Sequence, residues 1–421
     1  MKMLKVLSSI GFLLVAGSGA MAVSPEARGT AMGGAYSPFA QGPQGMWWNP
    51  AALPDTAGLG LLKAGVMIGV GMDAGNNVLK MAEIPGTVSG VLSGNQADIN
   101  SLVGKIRANP DHVWNAAIDG VGGAALCVKG IGVSVFPQVK LSADRVTPDL
   151  VEYALQYTKV SNGTINLPIN LLKPSYDFGG TIEQTTYYEI GLGYGMELPK
   201  WVPGIALSAG ADVKYYLGAS YMHSTASQLV TLVPPSSTGY NEYSESNAGS
   251  GLGFDLGVHA SLAGMAKGSI VLKNIGSQIK WTGVTGDRRS LMNVGGILSP
   301  DTARTIHTTG GEVTQKMPMV LLVGVGGTIP IVGTSAAIEL ETNATKDTVR
   351  PNEKARMRIG LEQTIAVLAI RAGYVTKTGA SPSAISLGVG LGALGSGIDL
   401  ACGMATNQKS MQVSLSGGVS F

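Results

Sequence analysis

Charge is scarce in this chain. Only 13% of its 421 residues are Asp, Glu, Lys or Arg, and the formal net charge is +2. That balance excludes the basic surface of a nucleic-acid binder and the polarity of an ordinary soluble domain. Long apolar runs are missing too. After the first 22 residues no stretch of about eighteen uninterrupted apolar residues occurs, which excludes membrane-spanning helices. Cysteine is limited to Cys127 and Cys402. They fall on predicted strands three steps apart, at about 4.8 Å per step, beyond disulfide reach. Two free thiols are expected. The histidines His112, His223, His259 and His307 are scattered, none at metal-ligand spacing. His259 reads as a hydrogen-bonded wall residue beside Asp255. There is no Gly-x-Ser-x-Gly elbow, and Gly388-x-Gly390-x-Gly392 has no helix after it to make a phosphate loop. The sequence therefore predicts no enzyme, no metal and no cofactor.

Glycine and apolar residues are plentiful. The chain holds 61 Gly and is 45% hydrophobic, with a positive mean hydropathy. It opens like a secreted protein. Lys2 and Lys5 precede the apolar run Val6 to Val15, and Ala20-Met21-Ala22 is a small-x-small cleavage site. Residues 1–22 are read as a signal peptide, without a following Cys for lipid attachment. An apolar secreted chain without spanning helices enters a membrane by closing a β-sheet into a barrel, which leaves no backbone unpaired in lipid.

The residue pattern agrees. Met411, Val413, Leu415, Val419 and Phe421 alternate with Gln412, Ser414, Ser416 and Ser420. Tyr188, Ile190, Leu192, Tyr194 and Met196 alternate with Glu189, Gly191 and Gly193. This is strand periodicity with one apolar face. The expected fold is all-β: a transmembrane antiparallel barrel of about 14 strands over residues 58–421. Long connections are expected at 73–121, 144–181, 219–250 and 283–315, alternating with tight turns. Outer-membrane barrels keep short turns on the periplasmic side and long loops outside. Phe421 ends the last strand, and a terminal aromatic resembles the assembly signal of this barrel class. Pro137 and Pro318 each require a bulge or a strand end.

Between the signal and the first strand lies a stretch of another kind. Arg28 to Leu53 carries Gly29, Gly33, Gly34, Gly42 and Gly45 with Pro38, Pro43 and Pro50. Such a stretch forms no long regular element but packs closely on other backbone. Trp47 and Trp48 add two large apolar surfaces next to Asn49-Pro50. A compact plug over residues 23–57 is expected, with Asn49 bonded to a charged wall and the indoles of Trp47 and Trp48 donating to carboxylates such as Glu339 or Glu362. The pattern Arg28-Gly-x-Ala-Met-Gly-Gly-Ala-Tyr36 followed by Trp47-Trp-Asn-Pro-Ala-Ala-Leu53 resembles the N-terminal signature of the FadL-like outer-membrane barrels. These include FadL/TodX fatty-acid and hydrocarbon channels, PorV-like secretion components and conjugal-transfer TraF-like proteins. Arg356 to Gln363 and Leu368 to Tyr374, strands with glycines and a terminal Tyr, add to the resemblance.

The polar strand faces hold Glu189, Asp212, Lys214, Asp255, Glu339, Glu341, Arg358, Glu362, Arg371 and Asp399. With the apolar faces in lipid, these line the lumen as a paired network that holds the plug. The first long loop contains an amphipathic helix, capped by Asn95, with Ile99, Leu102, Val103 and Ile106 on one face. It either caps the barrel or forms an outer groove for an apolar ligand, as the resemblance implies. Two functions stay open. One is an outer-membrane channel for passive uptake of hydrophobic small molecules, of the fatty-acid or hydrocarbon class, gated by Gly33, Gly34 and Trp47 to Ala51. The other is a non-transporting barrel scaffold that docks secretion or conjugation proteins. Either places the chain in the outer membrane of a Gram-negative-type bacterium, in contact with its lipid.

Overall fold

The computed structural model describes residues 24–54, 62–73, 114–147, 175–232, 235–294, 297–344, 355–377, 383–393, 396–406 and 410–420. The expected signal peptide, the expected amphipathic helix with Ile99, Leu102, Val103 and Ile106, and Phe421 lie outside the described residues.

The strands are β1 (Leu62–Asp73), β2 (Trp114–Val128), β3 (Ile131–Val146), β4 (Ser175–Glu197), β5 (Ile205–Leu232) and β6 (Pro235–Ser246). Then come β7 (Ala248–Leu262), β8 (Ala266–Ile275), β9 (Gln278–Val294), β10 (Ile297–Lys316), β11 (Val320–Ile329) and β12 (Thr334–Asn343). The last are β13 (Ala355–Ile365), β14 (Leu368–Lys377), β15 (Ala384–Ala393), β16 (Ser396–Ala405) and β17 (Ser410–Ser420). All belong to one 17-stranded sheet. β1 pairs antiparallel with both β2 and β17, so the sheet closes on itself. Around the ring β5 passes to β7, and β8 passes to β11. β6, β9 and β10 extend the wall beyond that ring, on the side away from the short turns. Among the described residues no helix is long and apolar enough to cross a membrane.

The barrel is inverted relative to a soluble core. Leu192, Val213, Leu256, Ile338, Leu387 and Leu415 are exposed on its outside. Their strand neighbours Asp212, Asp255, Glu339, Ser386 and Ser414 are buried inside. Period-two alternation places them so, because successive side chains point to opposite faces.

Several expectations are corrected. The described residues carry seventeen strands where about fourteen were expected, the difference being β6, β9 and β10, which lie beyond the closed ring. Residues 219–250 and 283–315 are not loops. They hold the far half of β5 with β6, and the β9–β10 hairpin. The sequence there is rich in Ser, Thr and Gly, so the apolar alternation that marks a wall strand is missing while strand propensity remains. β2 also starts earlier than expected, at Trp114. Pro318 lies between β10 and β11, where no ladder bond is lost. Pro137 sits inside β3, but the β2 ladder leaves out Gly122 and Gly123 opposite it. Both cysteines are free, as expected.

The N-terminal segment, Ser24 to Pro54, is the only described part without strands. It is built from short turns of helix, Ala27–Ala31, Gly42–Gln44, Gly45–Trp48 and Pro50–Ala52. Met32, Tyr36, Met46 and Leu53 are fully or almost fully buried. The segment touches inward-facing residues around the ring, at Gly69 of β1, Gly210 of β5, Gly324 of β11 and Gly388 of β15. It therefore lies inside the closed sheet.

Candidate functional site

Among the described residues, the seat of this segment is where buried charge, aromatic surface and irregular backbone meet. Its first contact is electrostatic. Glu26 caps the helix Ala27–Ala31, accepting from the Arg28 and Gly29 N–H groups. Arg28 grips Glu362 with both oxygens, Nε to Oε2 at 2.7 Å and Nη2 to Oε1 at 2.6 Å. Glu362 is shared with Arg371 of β14, which also donates to Asp399 of β16 at 2.6 Å. Arg28, Tyr36, Gln44 and Glu26 then close a loop within the segment. Arg28 donates to Tyr36 Oη, Tyr36 to Gln44 Oε1 and Gln44 to Glu26 Oε1. Paired, hydrogen-bonded charge is the form in which charge tolerates burial.

The second contact is centred on Glu339, which is fully buried. It accepts from the Ser37 N–H at 3.0 Å and from the Ser37 hydroxyl. Arg358 holds its other oxygen at 3.3 Å, donates to the Gly34 carbonyl at 3.2 Å, and reaches Glu341. Gly33 and Gly34 have φ of +67° and +82°, a left-handed turn that suits glycine. A Cβ on Gly34 would also lie 2.9 Å from Arg358 Nη1. His259 donates through Nε2 to the Pro38 carbonyl at 3.0 Å.

A third group sits above Trp47. Lys214 pairs with Glu189 at 3.3 Å and Asp255 at 2.8 Å. Lys273 donates to the Trp47 carbonyl at 2.6 Å and lies over its ring, while Trp47 meets Phe136 edge to face at 5.2 Å. At the segment's end, Ser208 donates to the Ala51 carbonyl and Cys127 to the Leu53 carbonyl.

The charges singled out on the strand faces thus converge on the interior, but their partners differ from those expected. Asn49 does not reach a charged wall residue. Its Nδ2 donates weakly to the Val258 carbonyl at 3.4 Å, and its Oδ1 caps the Pro50–Ala52 turn through the Ala51 N–H. The indoles do not serve Glu339 or Glu362, and Trp48 Nε1 has no partner among the described residues. Ser37 and Arg28 take those carboxylates instead. A signal for them existed: Glu26 and Arg28 are the only charges between Ser24 and Pro54, and a lone charged pair in a buried stretch must be answered by the wall.

Glu26 makes the seat sensitive to pH. Its burial pushes its carboxyl up to about 7, the Gly29 N–H opposing. Between its ordinary value of 4.5 and about 7 the seated segment binds more protons than a released one. Seating should therefore weaken as pH rises through that window and level off above it. Protease access to residues 24–54 should increase from about pH 5 to about pH 8, and Glu26→Gln should flatten the change. Equal access at both pH values would refute this.

No protein-family model matches the chain, and no curated protein matches it. Solved structures do. A monoaromatic hydrocarbon channel, CymD, is 14% identical with a TM-score of 0.50, covering 95% of this chain and 97% of its own. The Ralstonia pickettii toluene transporter TbuX is 12% identical, TM-score 0.52, covering 94% and 98%. A Pseudomonas aeruginosa FadL homologue is 11% identical, TM-score 0.55, covering 96% and 100%. The chain has the FadL-like barrel fold. Within that fold the N-terminal segment is bonded to the wall through Arg28 and the Gly34 carbonyl, and only weakly through Asn49.

Proposed function

We propose that this FadL-like barrel is an outer-membrane channel for passive uptake of hydrophobic small molecules, of the fatty-acid or hydrocarbon class, with no catalytic step. In this reading residues 1–22 are the signal peptide, 23–57 the plug and 58–421 the barrel. The fourteen strands of the closed ring, β1 to β5, β7, β8 and β11 to β17, form the wall in the lipid. The observation that carries it is the seat. A single segment lies against the inner face and is tied to the wall through the side chains of Glu362, Glu339 and Lys273, contacts that part without breaking any strand pairing.

A path for an apolar solute follows. On the long-strand side of the segment, Tyr187, Tyr216, Tyr221, Ile279 and Trp281 form a buried aromatic layer. The wall is interrupted there. β8 ends at Ile275 and resumes as β9 after Gly276-Ser277, and Asn274 and Gly276 both have positive φ. Solute captured at the outer hairpins passes this layer, displaces the plug around Trp47 to Ala51, and leaves through the lumen or through the bent wall. The test combines location and transport. The mature protein should fractionate with outer membranes, migrate differently on a gel when unboiled, and raise uptake of toluene or oleate above that of cells lacking it. Outer-membrane recovery without any uptake would leave the docking scaffold as the better reading.

A further inference from the structure

The short-turn end of the barrel is not uniformly polar. Trp201 in the β4–β5 turn is 72% exposed and Ile331 in the β11–β12 turn 95%. Between them Met265 marks the β7–β8 turn, and beyond them Val367 marks the β13–β14 turn, each more than half exposed. These four turns are neighbours around the ring, because β5 pairs with β7, β8 with β11 and β12 with β13. They are also stitched together. Ala263 N–H donates to Gly204, Thr328 N–H to Met265 and Thr364 N–H to Gly333, at 2.7 to 2.9 Å. The result is one ordered apolar arc. Outside the arc, the β2–β3 turn is Lys129-Gly130.

A contiguous apolar patch of this kind marks a surface that is covered. What covers it follows from continuity. In two of the turns, Ile329-Pro-Ile-Val332 and Ile365-Ala-Val-Leu368, the exposed outward faces of the strands run into the turn with no charged residue between. Trp201 is amphipathic, with an indole N–H suited to the headgroup layer, and exposed Lys200 beside it sets an ammonium at the level of lipid phosphates. We propose that this arc of turns is sunk in the headgroup and glycerol layer of the phospholipid leaflet, while the β2–β3 turn stands in water, so that the barrel is seated unevenly in its membrane.

The proposal rests on the membrane-spanning reading but not on transport. The test uses the full mature protein in phosphatidylethanolamine–phosphatidylglycerol vesicles brominated near either the glycerol or the methyl end of the chains. The difference in fluorescence between the wild type and Trp201→Phe isolates Trp201. It should lose most of its intensity to bromines near the glycerol end, less to bromines near the methyl end, and little to aqueous acrylamide. A Leu387→Trp reporter in the Trp201→Phe background reads the outward face of β15 and should be quenched by the deep bromines. If that reporter is quenched while Trp201 answers only to acrylamide, the arc faces water or a protein and the proposal is overturned. If the reporter itself is untouched by bromine, the barrel does not span the bilayer and both readings fall.

Discussion

Replacing Arg28 by alanine should turn a closed barrel into a leaky one. Among the described residues Arg28 makes the segment's only bidentate contact with the wall, to Glu362. Its side chain is 25% exposed and that of Glu362 5%, so the pair is stronger than a surface ion pair and weaker than a fully buried one. Charged hydrogen bonds contribute about 1.5–3 kcal/mol each, and partial exposure lowers the sum to about 2 kcal/mol, or about thirtyfold in the ratio of released to seated segment. The wall should survive, because Glu362 keeps Arg371, and Arg371 keeps Asp399. That separates gating from folding. Gel mobility of the unboiled protein should be unchanged, while single-channel openings in planar bilayers become frequent. Glu362→Gln should have a related effect, and the double variant should cost less than the two singles added, since each removes the same contact. An assembled Arg28→Ala barrel with wild-type conductance would show that the segment is not held by this pair.

The outside of the barrel was legible in the sequence, and the inside only by subtraction. Lipid demands an apolar residue at every second position, so Met411, Val413 and Leu415 announced their face and left Gln412 and Ser414 to the interior. Alternation gives the face of a residue but not its height along the axis, which depends on strand register and tilt. Glu339 and Glu362 are buried, but their donors are Ser37 and Arg28 where Trp47 and Trp48 were expected. Asn49 was read as a contact to charge because its chemistry allows one, yet its own turn claims its oxygen. The hairpins of β5–β6 and β9–β10 escaped notice for the opposite reason. Rich in Ser, Thr and Gly, their sequences lack apolar alternation and carry only propensity.

The abundance of glycine, visible in the sequence from the start, becomes a fitting condition in the structure. Inner-face glycines mark where the segment's backbone comes closest to the wall, and Gly373 of β14 is the tightest of them. A Cβ there would lie 2.0 Å from the Gly33 nitrogen and 2.3 Å from the Met32 carbonyl carbon. Neither atom belongs to a side chain that can rotate away. Gly388 meets Ala31 Cβ in the same manner, at 2.4 Å, one strand further on. Valine suits a strand, so Gly373→Val should leave the β13–β14–β15 pairing intact while excluding the Met32–Gly33 turn. Overpacking alone costs about 1–3 kcal/mol. Here the loss falls on the segment, because the wall is held by ladder bonds on both sides. The turn at Gly33–Gly34 is also what brings the Gly34 carbonyl to Arg358 and Ser37 to Glu339, so lifting it should undo the second contact as well. Gly373→Val should therefore open the barrel more than Arg28→Ala does, with residues 24–54 newly open to protease. Gly120→Val is the matched control, since a Cβ there meets nothing within 4 Å; it should behave as wild type. A Gly373→Val barrel that assembles, stays closed and protects its N-terminal segment would mean that the close fit of glycine to plug does not hold the channel shut.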